Sequence, residues 1–254
     1  MRLTVVVPVL VLAVIGCGPK KPAGPKEIAG ECKPIYGASI CTWAEMADSH
    51  LVALGATIPL ATIDSAPHEG EMVWPPKPAL VLPLPAEART AVGADHLSFF
   101  WEPHGHPPAA FMTPHFDFHF YVISESAREA IDCKDSAKPT AIPAGYALPD
   151  IDIPQLGMLT GLCVPGMGMH ALPATDTAGS TPFTGSMVFG YYAQHPIFYE
   201  PMITRAMLQE RRSFILVVPP QSDLPAGVHY PTKFEAVYDS TTPAYRFVFS
   251  GFSN

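Results

Sequence analysis

Charge is scarce in this 254-residue chain. Asp, Glu, Lys and Arg make up 15% of it, and 23 acidic residues outnumber 15 basic ones. No basic stripe is present to neutralise phosphates, which argues against nucleic-acid binding. The common catalytic signatures are also missing: there is no Gly-x-Ser-x-Gly elbow, no nucleotide-binding glycine loop and no His-Glu-x-x-His zinc motif. Ser124 and Ser126 suit a helix start better than a nucleophile. No internal repeat is found. The apolar run Val5 to Ile15 is too short to span a bilayer comfortably.

That run does suit an export leader. Arg2 supplies the positive start, and Val14-Ile15-Gly16-Cys17 resembles the lipobox of bacterial lipoproteins. The resemblance implies cleavage before Cys17, lipidation of its thiol and a place in the cell envelope, with Gly18 favouring the outer membrane or cell surface. Residues 1–16 are then a signal peptide. Residues 17–30, rich in Pro, Gly and Lys, read as a flexible tether. Residues 31–254 suit one β-rich domain.

Cysteine is sparse as well, five in all. With Cys17 set aside, an even number remains in an oxidising compartment. Three pairings are open. Loop entropy favours Cys32–Cys41 with Cys133–Cys163, and thiolate ligation of a metal is the alternative. By contrast, 48% hydrophobic content is ample for a core, and 30 prolines point to a loop-rich body.

Short apolar and alternating runs dominate the chain. Strands are expected over Ser39 to Met46, Leu51 to Ile63 and His96 to Trp101, the last with Leu97, Phe99 and Trp101 on one face. Ala79 to Leu84, broken by prolines, reads as an edge strand or an extended segment. Met187 to Tyr192 and Ile197 to Thr204 form a hairpin candidate. Phe214 to Val218 reads as a buried strand from its continuous apolar run, and Lys233 to Tyr238 with Tyr245 to Phe252 close the chain. Short helical turns fit Glu87 to Val92, a capping box at Ser126 and Glu129, and Thr204 to Arg212. Pro139 to Pro165 reads as an ordered excursion pinned by Cys133 and Cys163. The sum is mostly β: a single sandwich or barrel of about ten short strands with one or two short helices.

The chemistry concentrates in Pro114-His115-Phe116-Asp117-Phe118-His119-Phe120-Tyr121. As a strand this segment puts His115, Asp117 and His119 on one face and three phenylalanines on the other. Imidazole and carboxylate donors that converge to about 2.0–2.2 Å from one point hold a transition metal, and zinc or copper suits these donors. His115 and His119 are the leading ligands, joined by His106 and His170, with His104, Asp117 and Glu200 as further candidates. Gly105 between His104 and His106 allows close approach. Asp117 can instead orient an imidazole, and Asp117 or Glu200 would be the general base of a metal-dependent enzyme. Met167, Met169, Met202 and Met207 suit core packing, with copper(I) as their alternative use. His50, His68, His96, His195 and His229 read as surface or turn residues.

Four motifs in order carry a family resemblance: Trp101-Glu102-Pro103-His104-Gly105-His106-Pro107-Pro108, the segment 114–121, Val164-Pro165-Gly166-Met167-Gly168-Met169-His170, and Glu200-Pro201-Met202-Ile203-Thr204. Over roughly Cys41 to Phe252 the chain resembles an exported bacterial family of largely unknown function, grouped around a Thermus protein under an extracytoplasmic sigma factor. The resemblance implies a β-rich fold and ring-like homo-oligomers, but no activity. Cys133, Cys163 and the stretch between them have no counterpart in it. A weaker likeness to cupins is analogy only, because the spacing here is His-x-x-x-His. Three functions follow: a lipid-anchored envelope protein that binds a divalent metal, a metal-dependent hydrolase or oxygenase acting on an unknown small molecule, or a structural protein with a buried His/Asp hydrogen-bond network.

Overall fold

The computed structural model describes residues 1, 24–70, 73–154, 156–177 and 183–252. The leader 1–16 beyond Met1, and Cys17, lie outside the described residues. Strands β1 (Lys26–Ile35), β2 (Ala38–Ala47) and β3 (His50–Pro59) form a meander that ends in helix α1 (Leu60–Asp64). After β4 (Leu80–Pro83) and α2 (Ala86–Val92) come β5 (His96–Glu102), β6 (His115–Tyr121) and α3 (Glu125–Glu129). The Pro/Gly-rich excursion contains β7 (Tyr146–Ala147), β8 (Ile151–Ile153) and β9 (Gly157–Leu159). Then follow β10 (Met169–Pro173), α4 (Ala174–Thr177), the hairpin β11 (Gly185–Tyr192) and β12 (His195–Thr204), and α5 (Arg205–Gln209). The chain closes with β13 (Phe214–Val217), β14 (Lys233–Asp239) and β15 (Ala244–Ser250).

These strands make two stacked sheets. One has the order β1-β2-β3-β15-β14-β13 and the other β4-β5-β6-β12-β11-β10-β7, with β8 and β9 paired apart. Each large sheet ends in an edge strand, so the architecture is a sandwich and the barrel alternative is set aside. Among the described residues no helix is long and apolar enough to cross a membrane.

The inner faces meet through aromatic rings. Phe118 packs edge-on against Phe247 and Phe120 against Phe249, each pair at 4.8 Å, while Trp101 lies 4.3 Å from Phe116. Leu97, Phe99 and Trp101 share this face with the three phenylalanines of β6, because β5 and β6 pair Leu97 with Phe120, Phe99 with Phe118 and Trp101 with Phe116. Burying a Phe side chain contributes about 1.5–3 kcal/mol. Three of them on one strand therefore fix which way β6 faces, and its His/Asp row is turned to the opposite side.

That opposite side is also covered. The 103–113 loop and the excursion fold over the outer face of the seven-stranded sheet, and Phe111, Leu162, Val188, Phe198 and Met202 form a second apolar cluster there. The Cys133–Cys163 disulfide, 30 residues apart, ties both ends of the excursion together. Tyr121 and Arg128 donate to the carbonyls of Met167 and Gly166, pinning the turn before His170. Cys32 and Cys41 are direct cross-strand partners on β1 and β2 and form the other disulfide.

Several local expectations change. The described residues hold fifteen strands and five short α-helices, more than composition suggested, because the excursion and the N-terminal segment contribute short pairings. Lys26 to Gly30 belong to β1, not to the tether, since backbone pairing with β2 does not require apolar side chains. β13 pairs with β14 alone, and Ile215 and Val217 are exposed, so that apolar run is an edge strand. Helix α3 is capped by Ser124, whose extended backbone lets its hydroxyl accept from the Ala127 amide, while Ser126 already lies in the first turn. His96 is buried, stacked on Tyr121 at 4.9 Å with its Nδ1 2.9 Å from Asp95.

Closing a 30-residue loop restricts the unfolded chain by about 3–4 kcal/mol in the chain-entropy account. Replacing both Cys133 and Cys163 by Ser is expected to lower unfolding free energy by roughly 2–4 kcal/mol in urea titrations. It should also raise amide exchange across 134–162 well above that of β5 and β6; unchanged exchange there would show that the cover is held by its other contacts.

Candidate metal centre

The outer face of β6 is read row by row from the strand register. His115 lies between Glu102 on β5 and Thr204 on β12, and Asp117 between Phe100 and Met202. The same register carries His119 across from Ser98 and places Glu200 on its other flank. One row further, Tyr121 meets Phe198, which faces Gly190 on β11, and Gly190 faces His170 on β10. Glycine is required at 190: an added Cβ would sit 1.9 Å from the Phe198 ring, which fills that space. Phe198 in turn stands 4.7 Å from the His119 ring and 5.2 Å from the His170 ring.

These donors gather into two triads. His106, His115 and Asp117 form one, and His119, His170 and Glu200 the other, with the donor atoms of each within 4.8 Å of one another. His115 and His119 therefore do not share a point.

In the first triad His106 Nε2 is 3.5 Å from Asp117 Oδ2 and His115 Nε2 is 3.2 Å from Asp117 Oδ1. The two Nδ1 atoms lie 2.8 Å from the Pro107 carbonyl and 2.6 Å from the Thr113 carbonyl. With Nδ1 donating, the neutral ring presents the Nε2 lone pair to an ion, whereas only the protonated ring also donates from Nε2 to Asp117. Burial alone would raise the Asp117 pKa, but the charges of His115 and His106 and their hydrogen bonds outweigh it and hold the carboxyl below its usual range. Burial likewise pulls His106 down, and its hydrogen bond to Asp117 outweighs that, lifting it to about 9. Gly105 makes this turn, with φ of 70° and its α-carbon packed on the backbone of 111–113, so that a side chain there would overlap Phe111 O at 2.1 Å.

The second triad is drier. His119, His170 and Glu200 are all buried, and His119 Nε2 is 3.4 Å from Glu200 Oε2. His170 Nδ1 faces the Leu162 carbonyl at 3.0 Å. Both ring nitrogens of His119 and Oε2 of Glu200 are buried without a hydrogen-bond partner. Burial first, then the charge of His170, keeps His119 neutral, and burial lowers His170 to about 4. Burial, reinforced by Asp117, pushes Glu200 well above its ordinary value.

Both triads face one cavity of about 370 Å³, lined by His106, Asp117, His119, His170 and Glu200. Six of the seven sequence candidates thus line one space, and His115, wholly buried, is the one outside its lining. His104 joins neither triad: it lines the cavity half exposed, 3.7 Å from Glu69. Asp117 and Glu200, the two candidate general bases, each sit inside a donor triad. Met167 and Met202 also line the cavity, whereas Met169 packs in the inter-sheet core. Glu102 was not singled out from sequence, yet it lines the cavity outside both triads, and burial followed by the charge of Asp117 raises it to about 7. The strand alternation that pairs it with His115 was the available signal. Comparison with family models, curated proteins and solved structures returns no match.

The depressed imidazoles have a consequence for metal-free protein. Between about pH 6.5 and 4 the unfolded chain protonates His170 while the folded chain does not, so this contribution is present above 6.5 and lost as pH falls through 4. His119 acts in the same direction, and Glu200, raised, in the opposite one. In chelator-treated protein the stability difference between wild type and His170→Gln is expected to shift by up to about 3 kcal/mol across that window, against wild type at the acid end. A difference independent of pH would contradict a neutral buried His170.

Proposed function

We propose that this protein binds a divalent transition-metal ion, zinc or copper, on His119, His170 and Glu200, as an exported chain held at a membrane by a lipid on Cys17. The observation that carries the metal is the set of orphaned donors: two ring nitrogens of His119 and one oxygen of Glu200, buried with no partner. An unpaired buried polar atom costs about 1–3 kcal/mol. One ion removes that penalty at one ring nitrogen of His119 and at the Glu200 oxygen together. The donors suit it chemically, being two imidazoles kept neutral and one carboxyl group that can give up its proton to an ion. The 3.4 Å between His119 Nε2 and Glu200 Oε2 is also close to the edge of a tetrahedron built on bonds of about 2.1 Å.

The His106–His115–Asp117 triad supplies a second, weaker position. There His115 Nε2 and Asp117 Oδ1 are also buried without a hydrogen-bond partner, but an ion must displace a proton from His106, whose pKa lies near 9. Two disulfides and the lipobox-like start fit an exported, oxidising setting. The four-motif family resemblance belongs to the same proposal.

Protein purified without chelator is expected to carry at least one equivalent of zinc or copper by mass spectrometry. Glu200→Gln or His119→Ala should weaken zinc binding at least about a hundredfold, while His115→Ala should spare the first equivalent. Because burial favours the neutral acid form of Glu200, zinc binding should release protons, read by calorimetry in buffers of different ionisation enthalpy. Metal-free wild type that takes up no zinc, or uptake undiminished in both variants, would reject this site.

The anchor has its own check. Cys17→Ser is expected to move the protein from the membrane fraction to the soluble fraction and to abolish incorporation of labelled fatty acid. Membrane retention with no label incorporated would reject the lipid.

A further inference from the structure

Three imidazole–carboxylate pairs line the cavity, and they grade from solvent to core. At the mouth His104 Nε2 is 3.7 Å from Glu69 Oε2, with the two side chains 50% and 91% exposed. Deeper in, His106 stands 3.5 Å from Asp117, with exposures of 32% and 5%. At the floor His119 stands 3.4 Å from Glu200, with exposures of 1% and 2%. Access therefore falls pair by pair toward the buried triad.

The chain fixes this order. His104 and His106 are separated by Gly105 alone, whose positive φ and close packing on 111–113 hold the turn. Asp117 and His119 are successive residues on one face of β6, roughly 7 Å apart. Each link from one pair to the next is therefore two residues long. Behind the inner triad lies the aromatic inter-sheet core, and above it the disulfide-tied excursion. No field of one sign marks this path: Glu69, Glu102, Asp117 and Glu200 share the lining with Lys77 and with His106, whose pKa of about 9 keeps it protonated. What is ordered along the path is donor atoms. The mouth pair has two of them, short of the three or four that a lasting zinc site uses. It can hold an ion only in passing.

We propose that the three pairs form the entry route of the metal ion: His104 and Glu69 capture it at the mouth, His106 and Asp117 pass it inward, and His119, His170 and Glu200 retain it. This rests on the metal reading above and gives a role to donors that the retaining triad leaves unused. An ion captured at the mouth meets the inner donors at the effective concentration of a tethered ligand, about millimolar for short links, instead of at its concentration in solution. Capture speeds loading and, by microscopic reversibility, speeds release by the same factor. The equilibrium affinity of the inner triad is therefore untouched by it.

The test follows cobalt(II) entering the full-length, metal-free protein by stopped-flow absorption, the visible bands of the bound ion being the signal. Equilibrium affinity for cobalt is measured separately by competition with a chelating indicator. The double variant His104→Ala/Glu69→Gln is expected to load at least about fivefold more slowly than wild type. Release to excess chelator should slow by the same factor, with stoichiometry and affinity unchanged, because neither residue belongs to a triad. Both side chains are exposed, so the fold should tolerate the change. Glu69→His keeps a donor but removes the negative charge, and it should load within about twofold of wild type. A double variant that loads at the wild-type rate, a loss of affinity as large as the loss of rate, or a Glu69→His protein as slow as the double variant overturns this inference alone. Wild type that binds neither cobalt nor zinc overturns it together with the metal reading.

Discussion

The structure turns on a strand that is buried on both faces although only one face is apolar. Residues His115 to Tyr121 are all inaccessible, and the phenylalanines take the inter-sheet side. A row of imidazole and carboxylate groups is thereby driven under cover. Burying such groups without partners is unfavourable by several kcal/mol in sum, so the surroundings must satisfy them. The two triads are different answers to that demand. Around Asp117 the answer is partly internal: two imidazoles oriented by backbone carbonyls close on one carboxylate, and His115 Nε2 and Asp117 Oδ1 still lack a hydrogen bond. Around His119 the protein supplies no complete answer, and the unmet donors make the case for an ion.

Apart from the short β8–β9 pair, the chain that covers this face is irregular. Pro and Gly prevent long elements between 139 and 165, yet the segment is fixed by Cys133–Cys163, by Asp150 accepting from the Gly161 amide at 2.7 Å, and by Arg128 on Gly166. A regular strand or helix laid on the sheet would fill the space above it. A stapled loop can bridge the sheet and leave a chamber beneath, and this is how a small domain gains both a dry site and room beside it.

The alternation in 114–121 was legible in the sequence, and with it the direction of the core, because a period of two has one consistent reading on a strand. The hairpin of β11 and β12 and the disulfide pairing were legible for similarly local reasons. The barrel alternative was not resolvable, since closure depends on which edges pair, and no residue in β4 or β13 encodes that. Lys26 to Gly30 were misread because composition reports side chains, whereas β1 is held by backbone pairing and one disulfide. His96 was misread as surface because its burial comes from Tyr121 and Asp95, a relation set by tertiary packing.

The grouping of ligands is the deepest difference, and strand geometry explains it. Residues two apart on one face of a strand are separated by roughly 7 Å, and those four apart by about twice that. Donors around one ion stand only about 3–4 Å apart. His115 and His119 therefore cannot meet without breaking the strand, and Asp117 has to side with one of them. Directly opposed residues on adjacent strands lie about 4.5–5.5 Å apart, close enough for short side chains to converge. Glu200, across from His119, is thus a more natural co-ligand than any residue of β6 itself, and His106 reaches Asp117 from a loop for the same reason. A sequence motif of alternating donors on a strand does not spell out one site. It marks the points from which separate sites grow sideways across the sheet.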